Sequence, residues 1–117
     1  CQAHMANLSK IYKASETKIS EVWNFKESKL FSESEKAALD LALHGAMSPS
    51  QTEKKHFDEL GKYFNDAEIV EIVATISLFG FLNRWNDSMA TEIEELPETV
   101  AQATIGDSFG WESGKHK

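Results

Sequence analysis

The stretch NDAEIVEIVATISLFGFLNRWN, residues 65–86, decides the fold. Asn65 and Glu68 have the spacing of a capping box, in which the first side chain accepts from the amide three residues on and the second reaches back. Ile69, Val70, Ile72, Val73, Ala74, Ile76, Leu78, Phe79, Phe81 and Leu82 then follow with no sustained alternation of apolar and polar residues. A run of this length without a period of two is a helix. The pattern predicts one helix from about Asp66 to about Glu95, roughly 40–45 Å long and stopped by Pro97. Being apolar on most sides, it is expected to be buried on most sides, in its own subunit or against another. Glu71, Thr75 and Ser77 interrupt the greasy part, which is too short and too polar for a bilayer span. After Leu82 the character changes: Asn83, Arg84, Asn86 and Asp87 surround Trp85, as the lining of a pocket or of a contact between subunits.

Upstream of this helix the sequence gives shorter helices. Ala3, Met5, Ala6, Leu8, Ile11 and Tyr12 fall near helical spacing over residues 1–14. Ser15-Glu16 starts a short helix with Ile19, Val22 and Trp23 on its apolar face. Asn24 to Phe31 is a connector anchored by Phe25, Leu30 and Phe31. Ser32 and Glu35 form a second capping box, opening a helix rich in small residues (Ala37, Ala38, Ala42, Ala46) that ends near Gly45 and Pro49. Ser50 with Glu53 repeats the signal before Phe57, Leu60, Tyr63 and Phe64. No hairpin dipeptide occurs. The expectation is an all-α fold of about five helices with one long buried helix toward the C-terminus. It is divided as a helical domain over 1–96 and a tail over 97–117, in which a short helix fits at about 98–104 and the Gly-containing remainder is expected to be mobile or docked on a neighbour.

Composition narrows the function. The formal net charge of −7 with lysines scattered among glutamates argues against nucleic acid or an anionic membrane as partner. A single cysteine leaves no internal disulfide and suggests a reducing compartment, the cytoplasm. No targeting segment is visible, and a chain opening on Cys1 reads as truncated. In 117 residues the core is small, so oligomerisation would help it. Of the four histidines, His44 reads as a core or interface residue, His56 as surface and His116 as tail. They show no His-x-x-x-His spacing and there is no second cysteine, so no metal site and no cofactor are expected. The acids from Glu92 to Glu98 read as a solvated helix end.

The chemistry-bearing stretch is Cys1-Gln2-Ala3-His4-Met5. Positions i and i+3 share a helix face, and an imidazole beside a thiol can take its proton and leave a nucleophilic thiolate. If Cys1 also caps a helix, the dipole favours the anion further. By spacing alone the pair is equally a buried structural one.

Cys1-Gln2-Ala3-His4-Met5-Ala6 resembles the second half of the Cys-x-x-Cys-x-x-His signature of the carboxymuconolactone decarboxylase/alkylhydroperoxidase D superfamily. The connector Ser28-Lys29-Leu30-Phe31-Ser32-Glu33, the helix around Lys36 to Ala42 and the stretches Glu68 to Ile72 and Phe81 to Asn86 follow in the order of its peroxidase-related branch, over roughly residues 1–96. The resemblance implies a helical homo-oligomer (trimer, hexamer or dimer) and an antioxidant thiol-dependent peroxidase. Cys1 is then the attacking thiol and His4 the proton acceptor, with Met5 standing where many members have histidine. A resolving cysteine and a relay glutamate are implied upstream, with a peroxide as substrate and a thiol as reductant. Two other readings stand beside it: a non-catalytic helical oligomer, and a cofactor-free decarboxylase of the lactone branch.

Overall fold

A computed structural model describes residues 1–117. The chain is all-α. Helices α1 (Gln2–Ile11), α2 (Glu16–Ser20), α3 (Glu33–Gly45), α4 (Lys54–Leu60), α5 (Asp66–Met89), α6 (Glu95–Ala101) and the single turn α7 (Asp107–Phe109) follow one another, with 3-10 turns at Val22–Asn24 and Gly114–His116 and a π turn at Gln102–Gly106. No helix is long and apolar enough to cross a membrane.

The chain divides into two compact units. The first comprises Cys1–Ser28 and Asn83–Lys117. Its core is Ala3 and Ala6 of α1, Ile19 of α2, and Val100, Ala101 and Ile105, bordered by Ala14, Ile93 and Trp111. Small side chains on α1 and α6 let the two helices approach closely, as the alanines of α1 allow. The segment 97–117, set apart in the sequence as a tail with a short helix near 98–104, carries the end of α6 and the π turn there and supplies half of this core. Pro97, expected to stop the long helix, sits buried in the first turn of α6, where its missing N–H costs no helical hydrogen bond. Trp23, expected on a core face, is half exposed and meets Phe109 edge to face at 6.4 Å.

The second unit is Lys29–Leu82. Ala37 and Leu41 of α3 and Leu60 of α4 form its centre, with Ala38, Phe64 and the Ile69, Ile72 and Ile76 row of α5 packed against them. The row recurs at three and four residues, one face of a helix. Two of the three predicted capping boxes are made here. Ser32 Oγ accepts from the Glu35 amide and Glu35 takes the Ser32 N–H, and Asn65 and Glu68 do the same. The third begins later than expected: Ser50 Oγ accepts from the Thr52 amide, and α4 starts at Lys54 with Glu53 as N-cap.

Helix α5 departs from expectation in two ways. It has 24 residues and ends at Met89 rather than near Glu95, about 36 Å at the standard rise. Ala90 adopts a left-handed φ of 49° and the Thr91 amide bonds back to the Asn86 carbonyl, a Schellman stop normally built with glycine. Helix α1 ends in the same way, with Lys13 at φ 68° and the Ala14 amide on the Ser9 carbonyl. In addition, no residue of α5 is fully buried within the chain. Val70, Val73, Leu78, Phe81, Trp85 and Met89 are all exposed, so one side of an apolar helix is left open.

Candidate active site

Cys1 is the N-cap residue of α1, and its carbonyl accepts from the Met5 amide at 2.9 Å. The residue is half-buried and its thiol is free. The Asn86 side-chain amide donates to Sγ at 3.7 Å. A hydrogen-bond donor on sulfur and the positive end of the helix dipole both stabilise the anion over the thiol. Asn86 belongs to the polar cluster after Leu82, and it is the member of that cluster which faces the thiol. Asp87, its neighbour, pairs instead with Lys115 at 3.1 Å and lies 3.8 Å from His116. His116 also bonds the Thr91 carbonyl through Nδ1 and takes the Ile93 amide on its own carbonyl.

His4 lies one turn along from Cys1 on α1, but the two side chains engage separate partners. His4 Nε2 meets Glu94 Oε2 at 2.7 Å. Glu94 is exposed, and its carboxyl is held below the usual carboxylate range, first by its own backbone N–H and then by the His4 ring. The acids near residue 94 are therefore not only a solvated end. A carboxylate that orients an imidazole fixes which ring nitrogen carries the proton. An imidazole–carboxylate pair can accept and pass a proton; here it lies one helical turn along from the thiol, which Asn86 holds separately.

A second group of titratable side chains lies in the Lys29–Leu82 unit. His56, expected at the surface, is buried to 4% exposure. Its Nδ1 accepts from the Glu53 amide at 2.8 Å, which satisfies the first turn of α4 and explains why the ring is inside. Asp40 and His44, four residues apart on α3, complete the group. His44 Nδ1 meets the Asp40 carbonyl at 2.8 Å, and the two imidazole rings stack tilted with centroids 4.4 Å apart. Histidine spacing alone gave no hint of this, because one of the three residues is an aspartate and the other histidine comes from a different helix.

No known family profile matches this chain, and no curated protein sequence matches it significantly. Among solved structures it is similar to the apo form of the debrominase Bmp8, with 33% identity and a TM-score of 0.80 over 87% of this chain and 55% of that one. It is similar also to a cysteine-to-alanine variant of that debrominase in complex with 2,3,4-tribromopyrrole, at 34% identity and TM-score 0.79 over 86% of this chain and 54% of the other. The chain spans about half the length of these structures.

Proposed function

We propose that this chain acts in the thiol-dependent reduction of a small electrophile, with Cys1 as the attacking sulfur. The observation that carries the reading is the setting of that sulfur: free, on a half-buried residue at the start of α1, and held by the Asn86 amide. The likeness to a debrominase that has been seen with a brominated pyrrole adds an electrophile of matching chemistry. Applied to an aryl bromide, the thiolate takes bromine from carbon as the ring takes a proton. The sulfenyl bromide so formed loses bromide to a second thiol and leaves a disulfide. Two thiols are oxidised and one C–Br bond becomes C–H.

The Cys-x-x-His motif supports a peroxide as the other electrophile for the same sulfur. There the thiolate breaks the O–O bond, an alcohol or water leaves, and a second thiol reduces the sulfenic acid. In both cases the His4–Glu94 pair would handle the proton and the reductant would be a thiol, for which a reducing compartment such as the cytoplasm is the natural setting. Neither route calls for a cofactor. The open apolar side of α5 supports a homo-oligomer, since a chain of this size gains core by burying such a face.

With excess dithiothreitol present, bromide release from 2,3,4-tribromopyrrole and loss of a hydroperoxide are followed in parallel. At least one should proceed catalytically, and Cys1→Ser should lower it more than about 100-fold, since the nucleophile is removed. The arm that turns over names the substrate class. Silence in both arms, or full turnover in Cys1→Ser, would overturn the reading and leave a non-catalytic helical oligomer or a thiol-independent decarboxylase.

A further inference from the structure

We infer that Asp40, His44 and His56 form a binding site for one divalent cation of the zinc class, independent of the thiol chemistry. Each offers one donor atom, and these lie within 4.8 Å of one another. Asp40 Oδ2 is 3.7 Å from His56 Nε2. Bonds of about 2.0–2.1 Å in a tetrahedron put ligand atoms about 3.3 Å apart, so a small inward movement closes the set. Two imidazoles and one carboxylate with an open position are a ligand set that transition metals accept.

The second observation is His56 itself. Its side chain is 98% buried, and Nε2 has no hydrogen-bond partner. A buried polar nitrogen facing a carboxylate from beyond hydrogen-bond reach needs an explanation, and a cation taken up between them as the ring changes tautomer supplies one. His44 is already arranged as metal-bound histidines are: Nδ1–H gives to a backbone carbonyl, leaving the Nε2 lone pair available. An open cleft lined by His44, Met47, Ser48, Pro49, Gln51 and Glu53 gives a route in from solvent.

His56 must change for this to happen. While Nδ1 accepts from the Glu53 amide, the neutral ring carries its hydrogen on Nε2. Loading moves that hydrogen to Nδ1 and gives up the Glu53 bond, so no proton is released overall. One backbone hydrogen bond is exchanged for three metal bonds, and α3 is tied to α4.

Titration with Co2+ in a Cys1→Ser background, where the thiol does not compete, tests the assignment. One equivalent should bind with a visible absorption band of four- or five-coordinate geometry, and Zn2+ should displace it. His44→Gln and Asp40→Asn, both in half-exposed positions, should weaken binding at least 10-fold with helix content unchanged, while His116→Gln leaves it as it was. Zinc should also shift the Glu53 amide resonance. No binding at 1 mM Co2+, or binding indifferent to His44→Gln and Asp40→Asn, would overturn the site and leave the trio as a polar contact between helices. His56→Gln adds nothing if it fails to fold, which is why the two half-exposed variants carry the decision.

Discussion

The sulfur of Cys1 has a neighbour that sequence spacing did not name, the Asn86 amide. If that donor stabilises the anion, Asn86→Leu, which keeps the bulk and removes the N–H, should slow alkylation of Cys1 at neutral pH by about 3–10-fold, the worth of one hydrogen bond. The two rates should converge at alkaline pH, where the thiol is ionised in both. Stopped-flow alkylation against pH reads this directly. Glu94 behaves differently. Its carboxyl titrates below the usual range in the folded chain, so the folded state holds fewer protons than the unfolded one as pH falls through that range. The His4–Glu94 contribution is therefore present above the ordinary carboxylate pKa and lost as pH drops through the depressed one. Thermal melts of Glu94→Gln should lie below those of the unsubstituted chain near neutrality and meet them in acid. Because the pair is exposed the gap will be small, and a gap that widens in acid would show the sign to be wrong.

At the scale of the helix, the starts of α3 and α5 were legible and the stop of α5 was not. Ser32 and Asn65 cap as their spacing says, because a cap is made by a side chain with its own near neighbours. Ser32→Ala should cost about 1 kcal/mol, read by urea melts. The end of α5 is written in backbone conformation instead. Ala90 at φ 49° occupies a place that glycine takes without strain, and nothing in the residue type announces it. Ala90→Gly should raise stability by about 1 kcal/mol or less as that strain is relieved. The open stripe of α5 makes a third prediction. If it is the contact between copies, Phe81→Glu, at a position 58% exposed, should leave the helix content intact and move the sedimenting species to monomer. A variant that sediments as before would place the subunit contact elsewhere.

The molecule has two cores, one for each unit, and neither is a continuous stretch of sequence. Leu60 is completely buried and Leu41 nearly so. Leu60→Ala should cost about 2–5 kcal/mol, the transfer and cavity terms together, measured by denaturant unfolding. The other core mixes Ala3, Ala6 and Ala101 with Ile19, Val100 and Ile105. Ala101 of α6 is fully buried, so Ala101→Leu should cost about 1–3 kcal/mol by overpacking.

What the sequence determined by itself is local: the all-α class, the starts of α3 and α5, and a thiol with an imidazole one turn on. These follow from interactions among residues a few positions apart, which period and capping chemistry report. What only the tertiary structure decided is who faces whom. Glu94 stands 90 positions from the histidine it binds, and Asn86 stands 85 from the sulfur. His56, flanked by lysines in sequence, is drawn inside because its ring nitrogen completes the first turn of α4. Residues 97–117 look too poor in apolar side chains to matter, yet alanine and valine fill a core when a helix of equally small residues lies against them. A pattern along one chain cannot carry that information, because burial is a property of the opposing surface as much as of the residue.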